Sequence, residues 1–253
     1  MAMMFDCEPL YFVVLVPGLV LALWALWHTQ RAFRQGKAVV AARSITGAQA
    51  AAEVLQAAGA TGVAIEPVAG GLTHHYAPHD KVLRLSPEVY YGQSLAALGV
   101  AAHEAGHALQ DTIHYPLLRL RNGLVWIASL GGLLFWLLLI AGLTLIAMRS
   151  RWSAPVLLLG LGVCVGTVVL QLVTLPVEFD ASNRARRMLV HSGMITAAED
   201  PVVKRVLHAA VATHVATILM TTLTPRCFFI RTGLSGRGCE VDSRRSALPD
   251  AYG

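Results

Sequence analysis

His103, Glu104 and His107 stand together in the run HEAGH, two histidines four residues apart with a carboxylate beside the first. On a helix that spacing is about one turn, so both imidazoles lie on one face and can reach one ion. Zinc suits a pair of imidazoles. Glu104, next to the first ligand, is placed to take a proton from a water acidified by the ion and so to act as general base in hydrolysis of a peptide carbonyl. A catalytic zinc uses a third protein ligand and keeps one position open. Glu178, in PVEFDAS just after an apolar run, is the candidate, at a point where a second ligand-bearing helix would begin. The expectation is one Zn2+ ion held by His103, His107 and Glu178.

Each assignment has a bland competitor. An accidental H-E-x-x-H is expected in about one chain in a hundred of this size, but two histidines and a glutamate on an otherwise apolar helix are costly to bury without a task. Glu178 and Asp180 could merely favour the positive end of a helix dipole. Paired with HEAGH, that explanation loses weight. His75 and Tyr76 are candidates to stabilise an oxyanion, against the alternative of polar groups flanking a turn. The segment Lys81 to Leu85 alternates charged and apolar residues and reads as a half-buried edge strand that could pair with an extended peptide. His114, seven residues past His107, shares its face only if the helix runs that far.

The elements that must position these residues are written in the hydropathy. Of the 253 residues, 55% are hydrophobic and only 14% charged, well below the roughly 25% charged residues of soluble domains. The net charge of +5 is not gathered into a stripe with interleaved aromatics, so no nucleic-acid partner is expected. Lys and Arg instead flank the apolar runs, as in membrane proteins that keep them in the cytoplasm. After a short segment 1–9, residues 10–27 form an uncharged run of spanning length. Asp6 and Glu8 precede it in place of a basic stretch, which favours an uncleaved anchor over a signal peptide. Residues 28–121 read as a small catalytic domain carrying the HEAGH helix. Within it Thr46 and Gln49 have capping-box spacing, Gly59 can end the helix that follows, and three short strands precede a helix start at Ser86 and Pro87. Residues 122–148 and 155–175 are two further spans, 176–205 the third-ligand helix, 206–223 a possible fourth span, and 224–253 a Gly-, Ser- and Arg-rich tail expected to lack order. The four cysteines form no CxxC pair and read as isolated thiols.

Two spans between His107 and Glu178 return the chain to the side it left, so both halves of the site can face one compartment. An odd number would forbid the site. Arg31, Arg34 and Lys37 after the first run, and Arg184, Arg186 and Arg187 after the third, put that compartment in the cytoplasm, with Arg149 and Arg151 in the short connection outside.

The stretches GVAAHEAGHALQ, LVTLPVEFDAS, LTHHY and KVLRLS resemble the membrane-embedded neutral zinc metallopeptidases of the YugP-like group, over about residues 10–215. The resemblance implies a gluzincin-type site of two histidines and a glutamate. The chain is also similar to the HtpX and CAAX-protease group, whose third ligand lies in a Glu-aromatic-x-Ala-Asp pattern. Here the segment reads Glu178, Phe179, Asp180, Ala181, Ser182, so Ser182 replaces the aspartate that supports a ligand histidine, and Asp180 could take that part from another angle. The fold class expected is a mostly α membrane protein, with three to four transmembrane helices, a small antiparallel sheet and a zincin-like α+β catalytic domain. Its partners would be a peptide or membrane-protein substrate and the lipid bilayer, its place the bacterial inner membrane with the site on the cytoplasmic side. No oligomeric state is indicated. A metal-binding membrane protein without turnover is the alternative, and Glu104 argues against it. A transporter would need ionisable groups within the spans, and the three apolar runs contain none.

Overall fold

A computed structural model describes the backbone of residues 8–70 and 74–212 together with 215 and 218, and the side chains of those residues apart from 8–15 and 126–132. It is mostly helical. A long helix α1 (Glu8–Lys37) leads to a compact unit made of α2 (Gly47–Ala57), β1 (Ala64–Pro67), β2 (His75–Ala77), β3 (Val82–Leu85), the single turn α3 (Pro87–Tyr90) and α4 (Leu95–Thr112). Two long helices follow, α5 (Pro116–Ala147) and α6 (Ser153–His191), and residues 200–212 form a further helix, α7. Among the described residues one helix, Ser153–His191, is long and apolar enough to cross a bilayer, with a mean hydropathy of 2.5, and Leu133–Ala147 is a shorter apolar stretch.

Local chemistry accounts for the element boundaries. The Thr46 side chain accepts the Gln49 N–H while the Gln49 side chain accepts the Thr46 N–H, closing the expected capping box at the start of α2. Ser94 caps α4 through the Ala97 N–H. At the other end of α4 the chain leaves the helix, with Ile113 as cap and His114 at a φ of 56°, so His114 does not continue the face of His107. Leu83, Leu85, Leu95, Leu98 and Leu189 are fully buried in a core shared by α2, β3, α4 and the last turns of α6.

The sheet departs from the sequence reading in two respects. Its order is β1-β3-β2, with β1 parallel and β2 antiparallel to β3, so it is mixed and not antiparallel. Lys81–Leu85 is therefore the middle of the sheet and not an edge. The alternation that suggested a half-exposed edge arises because Leu83 and Leu85 point into the core while Arg84 turns outward to Asp80. β1 and β2 are the two edge strands, and β2 lies against α4.

Helix α6 is continuous from the apolar run into the segment expected to start a new helix, since Pro176 interrupts one backbone bond without ending it. Glu178 thus sits mid-helix and the helix-dipole explanation of its position is removed. The first turn of α5 reaches back to Pro116. Of the possible fourth span, 206–211 includes Val206, Leu207, Ala209 and Val211, all buried within the protein, and most of 213–223 lies outside the described residues, as does the tail 224–253.

Candidate metal centre

The site forms where α4 crosses α6. These helices meet closely at Gly106, where a β-carbon would lie 2.7 Å from the Ala181 carbonyl oxygen. Only a residue without a side chain permits that approach. The crossing brings Glu178 over the two histidines of α4.

The glutamate Oε2 lies 3.1 Å from His103 Nε2 and 3.6 Å from His107 Nε2. The imidazole rings stand nearly perpendicular, at 84°, with centroids 4.7 Å apart. Tetrahedral donors about 2.1 Å from a zinc ion are about 3.4 Å from one another, so this trio needs little movement to hold one. All three ligand atoms lie within 4.8 Å of one another, and the group could hold a metal ion.

The donor chemistry makes the same point. Gln110 donates its amide Nε2 to the Val177 carbonyl at 2.8 Å and to Asp180 Oδ2 at 2.9 Å, which turns its Oε1 toward His107 Nδ1 at 3.0 Å. An amide oxygen can only accept, so His107 carries its proton on Nδ1 and offers a lone pair from Nε2. Nε2 faces a carboxylate oxygen, and either a proton or a metal cation between them satisfies both groups. Ser182 Oγ lies 3.1 Å from His103 Nδ1 and can accept its proton in the same way. Asp180 is itself held by Arg184 Nε at 2.6 Å. Asp180 thus meets the site through Gln110, and Ser182 occupies the place beside His103.

The second oxygen of Glu178 lies 3.3 Å from Arg121 Nη1 at the start of α5. This contact leaves Oε2 as the oxygen turned to the histidines. Glu178 is 6% exposed and Glu104 7%. Buried carboxylates of this kind need partners. For Glu104 the partner is the backbone N–H of Tyr76 in β2, which donates to Oε2 at 3.1 Å.

The Tyr76 hydroxyl does not face the site. It donates to Asp111 Oδ2 at 2.8 Å, and Lys81 Nζ joins the same oxygen at 2.5 Å, which ties the β2–β3 hairpin to the end of α4. Burial and the bond to Asp111 both push the Tyr76 phenol up from its ordinary value. Burial also raises the Asp111 carboxyl, but the hydrogen bonds from Lys81 and Tyr76 outweigh it and hold Asp111 below the usual range. His75 lies at the rim, exposed and opposite Arg84 across the strand pair.

Three residues that the sequence reading did not single out belong to the surroundings of the site: Gln110, Arg121 and His74. Gln110 is one turn past His107, the spacing of a side-chain partner on a helix, and that signal was available. Arg121 looks like a flanking charge of a span. His74 is the first of a tandem histidine pair just before β2, and it is the less exposed of the two. Burial lowers its basicity, partly offset by the nearby Glu104, so the ring is held below its ordinary pKa.

A cavity of about 820 Å³ opens in front of these groups. His103, Glu104, His107, Glu178 and Arg121 form its floor, while Phe33 and Arg34 of α1, Leu118 and Val125 of α5, and Val206 of α7 contribute walls.

Comparisons with known proteins identify the family. Residues 11–230 match the family described as "Putative neutral zinc metallopeptidase". The chain is 37% identical over 230 residues to a protein of Bacillus subtilis (strain 168) named "Putative membrane protease YugP", an alignment covering 90% of this chain and 98% of that protein. No solved structure matches the chain. A family match spanning most of the chain, together with a relative aligned over nearly its whole length, makes this chain a member of the neutral zinc metallopeptidase family.

Proposed function

We propose that the protein is an integral membrane metalloendopeptidase that hydrolyses peptide bonds with one zinc ion held by His103, His107 and Glu178. The observation that carries this reading is the convergence of three acceptor atoms on one point, with Glu104 beside them and an open cavity in front. Bound there, zinc would polarise a peptide carbonyl and acidify a water.

The chain's own groups do the rest. Tyr76 N–H holds Glu104 Oε2 and leaves the other carboxylate oxygen to take the proton of the attacking water. Glu104 then returns that proton to the leaving amine as the C–N bond breaks. Arg121 holds Glu178 by one oxygen, which keeps the carboxylate from closing over the position a substrate must use. The buried floor of the cavity strengthens each of these charge interactions.

Membrane residence is supported by the apolar residues that α1, α5 and α6 turn outward, such as Val20, Leu23, Leu133, Leu137, Leu158 and Leu159. Surfaces of this kind on a soluble monomer would promote association. Arg31 stacks over Trp27, 51% exposed, at one end of the helices, and Arg151 over Trp152, 60% exposed, in the α5–α6 connection at the other. Aromatic and basic residues together suit the two bilayer interfaces. We read α1, α5 and α6 as three crossings, with the site on the cytoplasmic side of a bacterial inner membrane and a peptide or membrane-protein segment as substrate. Of the two edge strands, β2 is the one that borders α4 and the cavity, and it is the edge we assign to an extended substrate.

Purified protein in detergent should contain zinc and cleave an unfolded membrane-protein substrate. Glu104→Gln should keep its zinc and lose most hydrolysis, and wild-type turnover by that variant would end the peptidase reading.

A further inference from the structure

The reaction described above leaves negative charge on the carbonyl oxygen of the peptide, and the cationic side chain in the cavity floor, Arg121, is engaged with Glu178. Tyr76 cannot serve, because its hydroxyl is bound to Asp111. His75 borders the cavity only at its exposed rim. The remaining polar group of the hairpin in the cavity wall is His74.

His74 immediately precedes β2 and lines the cavity. Within β2, Tyr76 meets α4 at Asp111. His74 lines the same cavity wall as His103 and Glu104 of α4. Asp111 and Glu104 are seven residues apart, two turns on one helix face, so the strand runs alongside the groups that would do the chemistry. His74 accordingly lies within electrostatic reach of both Glu104 and His103.

Its imidazole is also uncommitted. Nδ1 is buried and has no hydrogen-bond partner among the described residues, and no bond of Nε2 is found there either. A buried polar atom without a partner carries a desolvation cost. At an active site that cost is recovered when a ligand supplies the missing bond.

We propose that His74 is a catalytic residue that donates a hydrogen bond to the carbonyl oxygen of the scissile peptide as it becomes an oxyanion. This inference rests on the metallopeptidase reading above and adds a specific donor to it. The oxygen of water bonds to the carbonyl carbon, its proton passes to Glu104, and the carbonyl π pair moves onto oxygen, where the His74 N–H meets it. Collapse of that centre breaks the C–N bond, the proton on Glu104 leaves with the amine, and the His74 proton stays in place. Water and peptide become acid and amine with nothing else consumed.

The test compares wild type, His74→Ala, His74→Gln and Glu104→Gln in the same detergent, by zinc content, turnover of fluorescein-labelled casein, and affinity for a phosphinic peptide whose tetrahedral oxyanion resembles the reacting centre. His74→Ala should retain zinc at the wild-type ratio with KM little changed, lose about 100-fold in kcat, and bind the phosphinic peptide weaker by a similar factor. His74→Gln, which still offers an N–H, should recover part of both losses. Unchanged kcat or unchanged phosphinic-peptide affinity in His74→Ala would overturn the proposal, and so would loss of zinc in His74→Gln, which would make the residue a support of the metal site. Because the inhibitor measurement needs no turnover, it judges His74 separately, whereas wild-type turnover in Glu104→Gln would overturn the underlying reading as well.

Discussion

At the scale of single residues, the site is a set of atoms each left with one role by the bonds of its neighbours. His107 shows this best. Gln110 Oε1 accepts a hydrogen bond from its Nδ1–H, and Gln110 is itself oriented by the Val177 carbonyl and Asp180, so Nε2 is what remains for an ion. Loss of such supporting bonds typically weakens metal binding by about 10- to 100-fold. Gln110→Ala should therefore lower zinc affinity by that order in a competition titration with a chromophoric chelator. Asp180→Asn should act in the same direction by less, because the Val177 carbonyl still holds Gln110. Equal affinities in wild type and Gln110→Ala would show that the amide does not orient the ligand. The grouping of His103, His107 and Glu178 was legible in the sequence, since spacing on a helix and an even number of apolar runs are one-dimensional facts. The supports were less so: Ser182 stood out only as a departure from an aspartate pattern, and the reach of Asp180 through Gln110 depends on how two helices cross.

At the scale of elements, the function depends on the contact between α4 and α6. The glycine of HEAGH permits it, by letting the Ala181 carbonyl sit where a side chain would be. Gly106→Ala should force the helices apart, and Glu178 would move with α6 away from the histidines. We expect the variant to retain its helical circular dichroism while zinc affinity falls at least as far as in Gln110→Ala. A Gly106→Ala protein with wild-type zinc affinity would mean that the crossing can relax without moving Glu178. Helices α2 and α4 and the capping box were readable from local signals, because caps and periodicity act within a few residues. The sheet was not, since nothing local dictates that β3 inserts between β1 and β2. Alternation in Lys81 to Leu85 is the same for an edge strand with one buried face and a middle strand whose outer face meets water and Asp80.

At the scale of the whole molecule, the account joins a buried hydrophilic site to helices with outward apolar surfaces. The basic residues Arg31, Arg34 and Lys37 near the cavity, and Arg184, Arg186 and Arg187 beyond Glu178, are on the site's side, and Arg149 and Arg151 are at the far connection. With the native cysteines replaced, Lys37→Cys should react with a membrane-impermeant maleimide only after the cells are opened, and Trp152→Cys in intact spheroplasts. Equal labelling of both from outside would contradict the assigned orientation. The three apolar runs were plain in the sequence, yet α6 proved to be one helix carrying both the candidate span and Glu178, so that one rigid element joins the candidate site to the apolar run. The most direct test of the account is the zinc environment itself, measured by X-ray absorption on purified wild type and Glu178→Ala. Wild type should show two imidazoles and oxygen donors at about 2.0–2.2 Å, and Glu178→Ala should bind zinc far more weakly and lose activity with it. A sulfur shell near 2.3 Å, or zinc bound normally by Glu178→Ala, would contradict the assignment of His103, His107 and Glu178 as the metal ligands.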